Sequence, residues 1–243
     1  MKTFQNFRRR FGDMCVMAVP ALLLSFTLVS CDEHEPIDLN IHPGHILTAN
    51  GNVVSSDTYF ELGMNNAAGV IFTEQQDDGS YLAVMLKELP AEMFCDSTDM
   101  VNGTSCDLTA FDGFTNTIEM RNSYDQKSGH GSPLAEAVYS SHTFGQSDYI
   151  PSVAEMMLLY AQRSAVNAVL LTLDNQQPGS ADLLALDGAN GECWYWTSTE
   201  VKEDQYHKAW LFTMNAGTYQ DTPKLLSYHA RPIVRYYPFK SNS

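Results

Sequence analysis

The sequence predicts an α+β chain, and three observations carry that reading. Two apolar runs, Gly69–Thr73 and Tyr81–Leu86, flank the turn-forming stretch Gln75-Gln-Asp-Asp-Gly79, the pattern of a β-hairpin. Pro151-Ser-Val-Ala-Glu155 has the spacing of a helix capping box, with Ser152 three residues before Glu155. The last third is β-like: Trp194–Thr199 alternates large and small residues, and Lys208–Met214 and Arg231–Tyr237 form two further runs.

From the N-terminus, Lys2 and Arg8, Arg9 and Arg10 precede an apolar stretch from Met14 to Val29. A basic n-region before a short apolar h-region is a secretory signal. The uncharged run is marginal for a span of about 20 residues, and Pro20 interrupts it. It ends Leu28-Val-Ser-Cys31, which looks like a lipobox. Residues 1–30 are therefore expected to be a lipoprotein signal peptide and Cys31 the lipidated N-terminus. The alternatives are an ordinary secretory signal with a chance cysteine or an uncleaved anchor. Two acyl chains hold a protein stably on a bilayer. Asp32-Glu-His-Glu35 follows at once. It resembles the export signal of Bacteroidetes surface lipoproteins and also reads as a plain solvated linker. Outer-membrane anchoring with the domain facing outward is expected.

The first thirty residues hold Lys2, Arg8, Arg9, Arg10 and Asp13, which leaves 10 basic and 28 acidic residues and a net charge of −18. Such a surface repels nucleic-acid phosphates, anionic headgroups and sulfated polysaccharides. The membrane is thus contacted through the lipid only. Apolar content is ordinary for a globular core.

Residues 31–50, with Pro36, Pro43 and Gly44 and little periodicity, read as the lipidated N-terminus and a tether, and residues 51–243 as one domain. Residues 95–130, polar and rich in Gly, Asn and Thr, read as loops. Ser132-Pro133 starts a short helix with Leu134, Ala137 and Val138 on its apolar side. The helix begun at Ser152 runs through Met156, Leu159, Tyr160 and Arg163, with a second short helix over 165–170. Residues 174–191 read as a loop and Asn215-Ala-Gly217 as a turn. Pro232 suits a strand start or an edge position.

Five cysteines are present. Cys15 leaves with the signal. Cys95 and Cys106 bracket a polar loop and either close a disulfide, the favoured reading outside the cytoplasm, or stand as two thiols. Cys193, beside aromatic residues, reads as a small buried apolar residue. There is no C-x-x-C and so no sign of zinc or thioredoxin-like chemistry.

Taken in order, these segments resemble a known family: Gly69-Val-Ile-Phe, Leu82-Ala-Val-Met-Leu-Lys-Glu-Leu89, Ala135-Glu-Ala, Tyr149-Ile-Pro-Ser-Val-Ala-Glu-Met-Met-Leu-Leu-Tyr160, Val166-Asn-Ala, Tyr195-Trp-Thr-Ser-Thr-Glu200, Ala209-Trp-Leu-Phe and Arg231-Pro-Ile-Val-Arg235. The chain looks like the collagen-like-adhesin (Lcl) C-terminal domain family of bacterial lipoproteins over residues 65–237. That family is similar in fold to C-type lectins and formylglycine-generating enzymes. The resemblance implies a C-type-lectin-like α+β domain with a small, twisted, mostly antiparallel sheet and a few helices. It also implies non-catalytic ligand binding, or adhesion, at the cell surface.

The loop between two predicted strands offers Glu200, Glu203, Asp204, Tyr206 and His207, and the following turn offers Asn215, Thr218, Tyr219 and Gln220. These two loops are the expected ligand-binding residues, because binding groups concentrate on loops. The competing reading is solvated hairpin loops. Trp194, Trp196 and Trp210 are either a sugar-stacking platform or core, and burial preference favours core. Asp77-Asp78 and Glu203-Asp204 read as solvated charge pairs; Glu-Pro-Asn, Gln-Pro-Asp and Trp-Asn-Asp calcium motifs do not occur. No metal or cofactor is expected.

An enzyme is not expected. Cys193 has no second cysteine near it, no Gly-x-Ser-x-Gly elbow occurs, and His130 reads as a loop residue. The leading expectation is a surface lipoprotein binding an extracellular glycan or protein. Alternatives are a fimbrial or envelope assembly subunit, a retroelement-diversified receptor, and a formylglycine-generating-type enzyme.

Overall fold

The structure is a computed structural model that describes residues 40–141, 148–185 and 193–238. The expected signal peptide, the expected lipidation site Cys31 and residues 32–39 of the expected tether lie outside the described residues.

The elements in chain order are β1 (Ile46–Thr48), β2 (Val53–Val54), α1 (Ser56–Glu61), β3 (Ala67–Ile71), β4 (Tyr81–Met85), β5 (Glu92–Met93), α2 (Gly113–Asn122), α3 (Pro133–Ser141), α4 (Val153–Gln176), β6 (Trp194–Glu200), β7 (Lys208–Thr213), β8 (Tyr219–Pro223), β9 (Ser227–Tyr228) and β10 (Ile233–Tyr236). The fold is mixed α and β, with small antiparallel sheets and few helices, as the sequence predicts. The strands form a five-stranded sheet in the order β10-β4-β3-β1-β2, a three-stranded sheet β6-β7-β8 and the pair β5-β9.

Pleating sends alternate residues of the five-stranded sheet to opposite faces. Ile46, Val70, Val84 and Ile233 join the main core with Met156, Leu159, Val166 and Leu170 of α4. Leu47, Ile71, Ala83, Met85 and Val234 face a second apolar cluster with Ile41 and Val53. Both faces are thus covered, which is why β4 is one continuous apolar run. In the three-stranded sheet, β6 and β7 are likewise packed on both sides. Tyr195 and Phe212 face the main core, whereas Trp196, Ala209 and Leu211 face a third cluster with Phe94, Leu134 and Val138.

The capping box forms as its spacing requires. Ser152 Oγ accepts from the Glu155 amide, and Glu155 Oε2 accepts from the Ser152 amide at 2.8 Å. The helix then continues unbroken to Gln176, so the expected break before residue 165 is corrected: no Gly or Pro interrupts the segment. Length and composition alone would allow α4 to cross a membrane, but its buried side chains are part of the core.

Two further expectations are corrected. The tether does not extend to residue 50, because β1 is buried and pairs with both β2 and β3. Gly44 N donates to Ile71 O and His45 O accepts from Ile71 N, so the chain joins the sheet before residue 46. The 95–130 segment is not all loop, because it contains α2. The buried positions of α2 are Gly113, Asn116, Thr117 and Met120, three of them without an apolar side chain. Hydrogen bonds satisfy this polar face. Asn116 Oδ1 accepts from Ser105 N at 2.9 Å, and Thr117 Oγ1 accepts from Ile150 N at 3.0 Å.

Candidate functional site

The expected binding residues fall into three separate environments. Glu200 closes β6 and is fully buried. It accepts hydrogen bonds from Asn102 N at 2.9 Å and Thr104 N at 3.0 Å and pairs with the buried Lys224. Lys224 also donates to Asn102 Oδ1 and Gln205 O. Glu200 is therefore removed from the candidate ligand contacts: it is an internal clamp that holds loop 96–106 against the sheet.

Glu203, Asp204, Tyr206 and His207 do lie together on an accessible loop, where His207 Nδ1 bonds Asp204 Oδ1. Asn215, Tyr219 and Gln220 are exposed at the other end of the same sheet. Antiparallel pairing sets Lys208 opposite Pro223 and Phe212 opposite Tyr219. The two groups are thus separated by the length of β7, roughly 15 Å at about 3.4 Å per residue. They do not form one site. Tyr219 belongs to β8, an edge strand that polar composition hid from the sequence. Its ring meets Trp210 edge-on at 5.3 Å, and Gly217, at φ +66°, lets the Tyr160 ring lie against the turn.

The tryptophans do not make a platform. Trp196 is buried, with Nε1 donating to Glu92 O at 3.0 Å, and Trp194 packs on the same cluster. Trp210 packs on the opposite side of the sheet, against the main core. Cys193 is buried and accepts from Thr213 Oγ1.

The expected Cys95–Cys106 disulfide is not formed; both are free thiols. Cys95 N donates to Lys224 O, and Ser105 O, one residue before Cys106, accepts from Glu200 N. The two cysteines thus flank the Lys224–Glu200 pair rather than each other. Burial pushes both thiols up from their ordinary pKa.

A better-formed site lies elsewhere. A cavity of about 410 Å³ is lined by Phe111, Asp112, Phe114, Thr115, Tyr149, Arg235 and Tyr237. Phe111, Phe114 and Tyr237 are 49%, 48% and 55% exposed, so three large rings meet solvent around one opening. Phe111 and Asp112 precede α2, Phe114 and Thr115 open it, and Tyr237 follows β10. At its floor Tyr149 donates to Glu155 Oε1 at 2.9 Å and meets the Phe114 ring edge-on at 5.7 Å.

Arg235 ties this floor together. Its Nη1 donates to Asp78 Oδ2 at 3.0 Å, and its Nη2 lies 3.4 Å from both Glu155 Oε1 and Phe111 O. Partial burial works against the guanidinium charge, but Tyr149, Glu155 and Asp78 together outweigh it and raise its pKa. Burial pushes the Glu155 carboxyl up, with Ser152, Tyr149 and Arg235 opposing.

Asp78 is exposed, as the sequence suggests, but it is also engaged by neighbouring donors. The Ser80 hydroxyl and amide, then Tyr237 and Arg235, hold its pKa down to about 2. Tyr237 Oη donates to Asp78 Oδ2 at 3.1 Å. A second cavity, of about 560 Å³, lies on the far side of Tyr237 and is lined by Gln75, Gln76, Asp77, Asp78, Gly79 and Pro238.

Sequence reasoning passed over this pocket. The available signal was Phe111 and Phe114 set in a polar stretch, where apolar side chains have no core to fill. Among the described residues no group of three His, Cys, Asp or Glu side chains could hold a metal ion. No family model matches the chain, and no match is found among the curated proteins.

Proposed function

We propose that the chain is a lipid-anchored cell-surface lipoprotein whose C-type-lectin-like domain binds an extracellular ligand, glycan or protein, without catalysis. The reading keeps the resemblance to the collagen-like-adhesin C-terminal domain family and the signal peptide ending at Cys31. The observation that carries it is the pocket of exposed Phe111, Phe114 and Tyr237 over a polar floor. An open apolar cavity with a few convergent polar groups and shifted pKa values is the usual form of a ligand site. Large rings left about half exposed around one opening are costly to leave wet, and a partner would cover them.

The test is a glycan and extracellular-matrix array probed with the full chain purified in detergent. Binding that is lost on Phe111→Ala plus Phe114→Ala, and kept on Tyr206→Ala plus His207→Ala, supports the pocket. Binding lost only in the second variant moves the site to the 200–207 loop. Absence of binding on every array counts against the reading. Anchoring is checked by metabolic labelling with palmitate, which Cys31→Ser should abolish.

A further inference from the structure

We infer that the pocket between α2 and β10 takes an organic ammonium cation, either a basic side chain of a protein partner or a small quaternary ammonium compound. The inference rests on the ligand-binding reading above and deepens it.

Four ring-bearing residues line this cavity: Phe111, Phe114, Tyr149 and Tyr237. Aromatic faces attract cations through their quadrupole, and aromatic cages are the usual recognition device for quaternary ammonium groups. A carboxylate completes the set. Asp112 is half-buried in the wall, and its Oδ1 accepts from Asn116 Nδ2 at 2.8 Å. Among the described residues no cation pairs with it.

The one cation in the lining is already neutralised. Arg235 is shared between two carboxylates, Asp78 and Glu155, and a carbonyl, Phe111 O. The N-terminus of α2 also points positive charge at the cavity, but only about half an elementary charge, and the full charge of Asp112 exceeds it. Asp77 adds a further carboxylate at the adjoining cavity beyond Tyr237. The chain as a whole carries a net charge of −15, so the long-range field brings cations in. An anionic ligand would have only the α2 N-terminus in its favour, against the ring faces, Asp112 and the net negative field. A neutral apolar ligand would use the rings but leave Asp112 unanswered.

The probes are choline chloride, Nα-acetyl-lysinamide and 3,3-dimethylbutan-1-ol, a neutral compound of nearly the same shape as choline. Each is titrated at low ionic strength into the full chain in detergent and followed by calorimetry. At least one cation should bind saturably and about tenfold more tightly than the neutral alcohol, the ratio expected of a desolvated cation–π contact plus a carboxylate. The tighter of the two cations tells whether a small ammonium compound or a lysine-type side chain is the fit. Asp112→Asn keeps an Oδ1 acceptor for the Asn116 contact while removing the charge, and should bring the cation-to-alcohol ratio close to one. Phe111→Ala should weaken both kinds of probe. Equal binding of alcohol and cations, or no saturation by any cation up to 0.1 M, overturns the inference. Array binding that Phe111→Ala abolishes while no cation binds leaves the pocket standing and removes only the ligand class. Array binding indifferent to Phe111→Ala removes the pocket itself.

Discussion

Lys224 donates to Glu200 in the interior of the protein, with side-chain exposures of 1% and 0%. The pair joins the end of β6 to the segment after β8. Through Asn102 and Thr104 it also fixes the long loop that precedes α2.

Breaking a buried pair strands a charge, and this typically costs about 3–5 kcal/mol. Lys224→Met and Glu200→Leu should each destabilise the chain by that order. The double variant should lose less than the sum, because it buries no lone charge. Urea denaturation of the four proteins measures this. Additive losses would show that the two groups do not act as a pair.

The capping box makes a second prediction. Ser152→Ala removes the cap, worth about 1 kcal/mol, together with the hydrogen bond to Ala110 O. Gly113→Ala should be worse. Its Cβ would lie 2.7 Å from Ile150 O and 2.8 Å from Ser152 N, and would also press on Glu155. These buried neighbours have little freedom to retreat, so the loss should reach or exceed the usual overpacking range of about 1–3 kcal/mol. Thermal unfolding ranks the two, and a milder Gly113→Ala would contradict the packing described here.

Acid should loosen the hairpin end of the pocket. Asp78 titrates near pH 2 in the folded state, below its ordinary value of 3.8. It binds its proton less readily when folded, so its contribution is full above about pH 3.8 and is lost as the pH falls toward 2. Glu155 has the opposite sign: its raised pKa favours the fold most at low pH, and that gain disappears as the pH rises through the folded value. Asp78→Asn should therefore flatten stability between pH 4 and 2, by a small amount because the side chain is well solvated. A wild-type-minus-variant difference that does not change over that window would contradict the assignment.

The thiols give a fourth prediction. Cys106 is half-exposed, whereas Cys95 and Cys193 are buried. Alkylation of the folded chain should reach Cys106 first, slowly at neutral pH and faster as the pH rises, because burial disfavours the thiolate. Peptide mapping without reductant should find Cys95 and Cys106 unlinked. A linked pair would mean that the loop can move past Lys224.

The elements legible in the sequence were those that bury apolar side chains or carry a local motif. The β3–β4 hairpin, the start of α4 and strands β6, β7 and β10 all belong to this group. Those hidden in the sequence hold themselves by polar means. The inner face of α2 is Asn116 and Thr117, satisfied from distant segments, and a periodicity search sees no stripe there. β8 is exposed along most of its length. The pocket was hidden for a different reason. Phe111 and Asp112 lie more than a hundred residues from Arg235 and Tyr237, and they meet because β10 pairs with β4 beside the Asp78 turn while Tyr149 and Ile150 bridge β10 to α2. Glu200 misled because strand ends usually face water, and this one faces Lys224.

The five-stranded sheet draws β1 and β2 from one end of the domain and β10 from the other. Its centre can form early, from the local β3–β4 hairpin, but β4 keeps an open edge until residues 233–236 arrive. Contacts of such long sequence separation fold slowly, and unpaired edges invite other strands. A chain that folds as it is made from its N-terminus thus keeps that edge bare until residues 233–236 are available. β10 acts as a latch on the β4 edge, and a chaperone would have most to guard in the interval before it closes.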